Sequence, residues 1–153
     1  MATAHWIKKL GGHAGELFVA AELSKRGIPN ALLPENFSDD DILVGSKSAA
    51  HTGFVQVKAC HPDRSESFIL RDTDEKWHGD KSDNLFVFVW LGKTTNNEPP
   101  RYWIATKTEV GQACVSHSAH GTGNWERRFY PRDFPVDWAE RWSLFDQFRP
   151  VSP

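Results

Sequence analysis

The chain has 153 residues, of which 39% are hydrophobic and 25% are charged, and this is the size and composition of one domain with a hydrophobic core of its own. Its 18 Lys and Arg against 20 Asp and Glu give a formal net charge of -2. The protein therefore cannot hold a partner such as nucleic acid by an overall positive charge, and any basic surface must be local. The two cysteines lie far apart, and nothing resembles a signal peptide or a membrane span. We therefore expect a soluble, cytoplasmic protein with no membrane partner.

The first predicted element is an amphipathic helix that begins after Gly11 and Gly12. The stretch "HAGELFVAAELSKRGIP" places apolar residues at spacings of three and four, which is the period of a helix with one buried face. Gly27 and Pro29 follow and predict its end.

Several strands and a second helix are predicted after this helix. "NLFVFVWL" (residues 84–91) is continuously apolar and β-branched or aromatic, which is typical of a central strand covered on both faces. Other predicted strands are residues 31–33, 42–44, 54–57, 68–70 and 102–106, and residues 107–116 are predicted to form the second helix. From about residue 121 the sequence is rich in Trp, Phe, Arg and Pro, with a short helix predicted in "VDWAERWSLFDQF". The expected organisation is one domain over 1–153, with a core at about 11–118 and an aromatic-rich C-terminal extension at about 121–153.

The stretch "DDDILVGSKSAAHTGFVQVKAC" places ionisable residues at the ends of two predicted strands. Side chains alternate along a strand, so Gln56 and Lys58 point to the same face about 7 Å apart. Asp41 stands at the entrance of the preceding strand and can converge with them. A carboxylate and an amide oxygen suit Mg²⁺, and a lysine suits a phosphate. This trio predicts a site for a divalent cation and a phosphodiester.

The same arrangement resembles the PD-(D/E)XK nuclease superfamily over roughly residues 11–107. The family carries a glutamate on a helix before the first strand, an aspartate at the start of one strand and an acid-X-Lys triplet on the next. Glu16 in "GGHAGELFVAAEL", Asp41 in "DDDILV" and "QVK" in "FVQVKA" match these positions in order. The resemblance implies an α/β fold with a restriction-endonuclease-like core, in which helices flank a central mixed sheet of four to five strands in the order αβββαβ.

The resemblance also implies a role for each matched residue. Asp41 would be the main metal ligand and Gln56 a neutral ligand, and Val57 would also belong to the metal site. Lys58 would be the catalytic cation, and Glu16 would lie in or near the second layer around the metal. Two features depart from the family pattern: the proline of the family name is absent, and Gln56 stands where an acid is usual. The Gln-X-Lys triplet is similar to variants among type IV restriction endonucleases and related nuclease-like domains, and a Holliday-junction-resolvase-like core has the same outline. Losing one negative charge should weaken metal binding.

Each of these residues also has an ordinary structural interpretation. Glu16 fits a solvated helix face, Asp41 fits a strand-start residue that accepts backbone hydrogen bonds, and Lys58 fits an edge strand. Asp39 and Asp40 fit the turn interpretation, with Asp40 kept as a reserve ligand. The three residues Glu16, Asp41 and Lys58 together favour a functional site.

Weaker patterns lie outside this site. Cys114, His117 and His120 are spaced for zinc, but without the tight paired spacing of a structural zinc site, so that surface histidines at a helix end are the preferred interpretation. His13 lies three residues before Glu16 and is a candidate phosphate contact. Arg127 and Arg128, with aromatic residues around them, are candidates for nucleic-acid binding.

Two functions therefore stay open. The first is a Mg²⁺-dependent endonuclease, with Mn²⁺ as a substitute, that hydrolyses phosphodiester bonds in DNA, RNA being the alternative substrate. The second is a catalytically inactive protein of the same fold that binds nucleic acid or another protein. A third interpretation is an interaction or immunity-type protein with no nucleic-acid partner. Monomer and homodimer are both compatible with the sequence.

Overall fold

A computed structural model describes residues 5–35, 40–71, 84–116 and 126–151. The predicted elements occur in it, and a seventh strand is added near the C-terminus. The helices and strands are α1 (His5–Lys25), β1 (Asn30–Leu32), β2 (Ile42–Val44), β3 (Gly53–Cys60), β4 (Phe68–Arg71), β5 (Leu85–Trp90), β6 (Arg101–Thr106), α2 (Lys107–Ser116) and β7 (Glu126–Phe129).

Five strands form one mixed sheet in the order β1-β2-β3-β5-β6. The pairs β1–β2, β2–β3 and β5–β6 are antiparallel, whereas β3 and β5 are parallel. A second sheet contains β4 and β7, which are antiparallel. The predicted fold class, an α/β restriction-endonuclease-like core with a mixed sheet and flanking helices, is confirmed. The expected order is αβββαβ, and the described elements follow the order α1, β1 to β6, α2 and β7. Residues 72–83, between β4 and β5, lie outside the described residues.

The strand β5 lies inside the sheet, between β3 and β6, and is covered on both faces, as its continuous apolar sequence predicts. Leu85, Val87 and Val89 face a core that α1 also enters through Val19 and Leu23. The other face of β5 contributes to a second core rich in aromatic residues. That core contains Cys60, Phe68, Leu70, Phe86, Phe88, Trp103, Ala105, Val110, Cys114, Phe129, Phe134 and Trp138.

The aromatic C-terminal region packs against both cores. Phe134 and Trp138 enter the aromatic core, and Phe145 and Phe148 are fully buried in the core beneath α1. The helix predicted here occurs as two short 3-10 helices, Val136–Trp138 and Trp142–Phe148. The large apolar area that these side chains bury makes this region a contributor to the stability of the sheet.

The predicted end of α1 is confirmed, but its predicted start is wrong. Gly27 has φ +78°, its N–H donates to Ser24 O at 3.0 Å, and the N–H of Ile28 donates to Leu23 O at 2.9 Å, which is a glycine-terminated helix end. The helix begins at His5 and runs through Gly11 and Gly12. A glycine costs a helix only about 1 kcal/mol relative to alanine, so two glycines inside a helix of 21 residues do not end it.

Within the described ranges, neither helix combines the length and the apolar character that crossing a membrane requires.

Candidate functional site

Asp41 is held at the point where β2 and β3 separate. Its backbone N–H donates to Val55 O at 2.9 Å, and its Oδ2 accepts a hydrogen bond from the N–H of Val57 at 2.8 Å. The pairing of β2 with β3 reaches Ile42 opposite Val55. A hydrogen bond to a strand N–H lies close to the plane of the sheet. The Asp41 carboxylate therefore lies along the edge of β3, just before the first residue of β2.

Gly15 brings α1 close to β3 and so places Glu16 next to Asp41. A Cβ atom at Gly15 would lie 2.6 Å from the Cβ of Ala59, a distance that carbon atoms do not reach without displacement. The helix therefore approaches β3 as closely as a glycine permits. Glu16, the next residue, forms a side-chain hydrogen bond with Asp41.

The two carboxyl groups interact, and both have a raised pKa. Burial, then the negative charge of Asp41 and the hydrogen bond to it, raise the pKa of Glu16 to about 7. Burial also raises the pKa of Asp41, while the Val57 N–H, the Glu16 hydrogen bond and the Lys58 charge act in the opposite direction. Glu16 therefore keeps its proton to a higher pH than an exposed glutamate does.

Gln56 and Lys58 leave β3 on the face opposite to Val57. In the parallel pairing they lie beside Phe86 and Phe88, which belong to the aromatic core. The Oε1 atom of Gln56 is buried and accepts no hydrogen bond within the described part of the chain. Lys58 is close enough to Asp41 for its charge to lower the pKa of that carboxyl. Glu16 and Asp41 thus interact directly, Lys58 is near enough to act on the Asp41 carboxyl, and the unsatisfied amide oxygen of Gln56 lies two residues before Lys58.

The backbone of Val57 completes this set. The N–H and C=O of one strand residue project to the same side, so the C=O of Val57 points to the edge where its N–H holds Asp41. The carboxylate of Asp41 and the carbonyl oxygen of Val57 thus lie on one edge of β3, and the amide oxygen of Gln56 comes from the preceding residue. This is a set of oxygen donors of the kind that Mg²⁺ prefers.

A cavity of about 800 Å³ opens beside the two carboxyl groups. Glu16, Asp41 and Asp40 line it, and so does His13, which is exposed on α1. His13 is therefore placed within the same cavity as the carboxyl groups. Its role as a phosphate contact stays a prediction.

Asp40 is bound by a lysine that the sequence analysis did not single out. The Nζ of Lys107 forms a hydrogen-bonded ion pair with Asp40 Oδ1, and the lysine side chain is only 6% exposed. Lys107 follows β6 directly, so a charged residue at the end of an apolar strand was the available sequence signal. Asp40 thus has a structural partner, whereas Asp39 lies outside the described residues.

The remaining sequence candidates lie elsewhere. Arg127 and Arg128 are in β7 of the second sheet and do not line the cavity that contains Glu16 and Asp41. The Nη1 of Arg128 donates to Ser67 Oγ at 3.4 Å. Cys114 is buried in the aromatic core, and its spaced partners His117 and His120 lie outside the described residues. Among the described residues, no three His, Cys, Asp or Glu side chains are grouped to hold a metal.

Comparison with known proteins shows a likeness in structure alone. No family model matches the sequence, and no curated protein matches it. The fold is similar to that of a bacterial homing endonuclease, with 16% sequence identity, 91% of this chain and 92% of that chain covered, and a TM-score of 0.53. A Holliday junction resolvase from Archaeoglobus fulgidus aligns with 14% identity over 82% of this chain and 88% of its own, with a TM-score of 0.48. At 16% identity the likeness to the homing endonuclease shows the fold alone.

Proposed function

We propose that this chain is a divalent-metal-dependent endonuclease that hydrolyses phosphodiester bonds in DNA. The observation that carries the proposal is the contact set around Asp41, whose carboxylate accepts hydrogen bonds from Val57 N–H and from Glu16 and interacts with the charge of Lys58. A structural turn aspartate would not need a second, partly buried carboxyl group beside it. The likeness of this fold to that of a bacterial homing endonuclease supports the same proposal.

The residues present fit a hard divalent cation. Asp41, the Gln56 amide oxygen and the Val57 carbonyl would hold it, and Glu16 would orient Asp41 through their hydrogen bond. The buried, unsatisfied Oε1 of Gln56 is the clearest sign of fit, because a buried polar atom without a partner costs about 1–3 kcal/mol. One carboxylate and two neutral oxygens should bind Mg²⁺ weakly without substrate, and Mn²⁺, which tolerates such donors better, should support more activity.

The chemistry then divides between the cation and the protein. When bound, a divalent cation offsets charge on the phosphodiester and lowers the pKa of water. Lys58 places a positive charge on the face of β3 opposite to the Val57 side chain. There it stabilises the additional negative charge of the reacting phosphate. Asp41, fixed by Val57 N–H, keeps the donor set in one geometry.

A second function is favoured by one observation. Glu16 and Asp41 interact directly, Glu35 and Asp40 line the same cavity, and among the described residues no three His, Cys, Asp or Glu side chains are grouped to hold a metal. A site with so few anionic ligands also fits a protein of nuclease fold that binds nucleic acid or another protein without cleaving.

A cleavage assay separates the two functions. The wild type is incubated with single-stranded, double-stranded and branched DNA, and with RNA, in Mg²⁺, Mn²⁺ or EDTA. Asp41→Asn retains an oxygen that can accept from Val57 N–H but removes the charge, and Asp146→Asn is the matched control because Asp146 is exposed in the C-terminal region. Cleavage that requires metal and is lost in Asp41→Asn alone supports the enzyme. Nucleic-acid binding without cleavage in either metal would contradict the endonuclease proposal and support the binding function.

A further inference from the structure

A second groove lies on the other side of the N-terminal part of α1. It has a volume of about 280 Å³ and is formed by α1, the end of β3, the loop after β3 and the start of β4. Its basic lining residues are Lys8, Lys58, His61 and Arg64, and two serines add hydroxyl groups. None of its lining residues is an aspartate or a glutamate. In a chain with a net charge of -2, this is a local concentration of positive charge.

The groove and the carboxylate cavity have opposite charge and share a wall. The cavity beside the site is lined by one lysine, Lys9, by His13 and by four acidic residues, which are Glu16, Glu35, Asp40 and Asp41. Gly12 lines both spaces. Lys58 belongs to the groove and also acts electrostatically on Asp41, so the basic groove leads to the site.

The wall of the groove leaves room for a ligand to approach the helix. A Cβ atom built at Gly11 or Gly12 would meet nothing within 4 Å, so the helix presents bare backbone at these positions. Small-molecule pockets usually enclose about 300–1,000 Å³, and this groove falls below that range. Its size and charge fit phosphate groups that pass along it better than an enclosed ligand.

We infer that this groove binds the sugar–phosphate backbone of the DNA strand being cleaved, next to the phosphate that reacts beside Lys58. The inference rests on the proposed function. Lys8 and Arg64 are both exposed and contact the phosphates next to the reacting one. His61 and the hydroxyl groups of the two serines add hydrogen bonds, and Arg128 holds Ser67 in place. Contacts to phosphates fix the position of a strand without reading its sequence, so the groove sets which bond reaches the site.

The neighbouring loop has two acidic residues, Asp63 and Glu66, neither of which lines the groove, and Glu66 Oε1 lies 3.9 Å from Lys93 Nζ. Asp63 lies 3.9 Å from His61 Nδ1 and accepts hydrogen bonds from the N–H and the hydroxyl of Thr94, at 3.4 and 2.6 Å. These bonds hold the Asp63 carboxylate against Thr94, and Asp63 is not part of the groove lining. Lys8 and Arg64 are therefore the charges to remove in a test.

The test compares two double variants of the full chain. Lys8→Ala with Arg64→Ala removes two groove charges, whereas Lys25→Ala with Lys47→Ala removes two exposed charges elsewhere, Lys25 lying at the opposite end of α1. Binding of labelled single-stranded and double-stranded DNA is measured by fluorescence anisotropy in EDTA over a range of salt concentrations. We expect the groove variant to bind about 10- to 100-fold more weakly, with a salt slope smaller by about 2. The control variant should resemble the wild type.

The outcomes separate this inference from the proposed function. A groove variant that binds and cleaves like the wild type, or a control variant that is weakened equally, would overturn the inference while the nuclease proposal stands. A wild type that binds no DNA would overturn both. A rise in KM with little change in kcat, seen only in the groove variant, supports a positioning role for Lys8 and Arg64.

Discussion

Lys107 forms a buried ion pair with Asp40, 67 positions earlier in the chain and directly before Asp41. The lysine stands where β6 passes into α2, and its backbone N–H donates to Asn84 O at 3.1 Å. It thereby connects the loop that enters β2 to the opposite edge of the sheet. The position of Asp41 depends on this connection as well as on Val57.

Lys107→Met should destabilise the protein, because it removes the ammonium group that is hydrogen-bonded to the Asp40 carboxylate, whose side chain is only 17% exposed. Removing one partner of a buried pair typically costs about 3–5 kcal/mol. Urea unfolding at pH 7 measures the change, with the exposed Lys47→Met as control. A loss below about 1 kcal/mol would show that the pair does not hold the loop.

Gly15→Ala should displace α1 from β3, since the new Cβ would lie 2.6 Å from the Cβ of Ala59. We expect a net loss of about 1–3 kcal/mol, because overpacking outweighs the higher helix propensity of alanine. The metal affinity should fall as well, since Glu16 moves with the helix. Gly11→Ala is the matched control, and it should stabilise by up to about 1 kcal/mol because nothing lies near its Cβ. Equal effects of the two substitutions would argue against close packing at Gly15.

Glu16→Gln should change how stability depends on pH in the metal-free protein. Because the pKa of Glu16 is raised from 4.5 to about 7, the folded state retains a proton that the unfolded chain releases, so stability is greatest below pH 4.5 and falls as the pH rises through about 7. The glutamine does not titrate and can still donate to Asp41. Thermal unfolding in EDTA at pH 5 and pH 8 should show a smaller fall in Tm for Glu16→Gln than for wild type and for the exposed control Glu66→Gln. An unchanged fall would place the titration elsewhere.

Gln56→Glu should raise the apparent Mg²⁺ affinity by about tenfold or more, because it adds an anionic ligand beside Asp41. In EDTA the same variant should be less stable than wild type, since a further carboxylate is partly buried near two others. Addition of Mg²⁺ should restore the loss, as ligand binding to the folded state does. Thermal shifts over a Mg²⁺ series test this, with Gln112→Glu adding the same charge at an exposed position of α2. Identical Mg²⁺ responses of the two variants would contradict a metal site at Gln56.

Lys58→Met retains the bulk of the side chain and removes its charge. If Lys58 stabilises the transition state, cleavage should fall by at least about 10²-fold, while DNA affinity falls by less than about tenfold. Single-turnover cleavage and anisotropy measure the two quantities separately, and Lys47→Met serves as control. A parallel loss of binding and cleavage would assign Lys58 to the groove alone.

Local patterns in the sequence predicted most of the elements. The helical spacing after His13, the stop at Gly27 and the apolar run of β5 each depend on neighbouring residues, and all three occur in the structure. The shared face of Gln56 and Lys58 also follows from strand alternation alone. The order of Glu16, Asp41 and the Gln-X-Lys triplet indicated which residues to examine.

Tertiary structure decided what those residues contact. The Asp41 hydrogen bond to Val57, the Lys107–Asp40 ion pair and the joining of Lys8 with Arg64 in one groove link residues that are 16, 67 and 56 positions apart. Contacts over such separations are set by strand register and helix packing, which depend on how all the side chains of the core fit together. A local pattern determines the face on which a side chain lies, whereas only the packed sheet determines which side chain meets it.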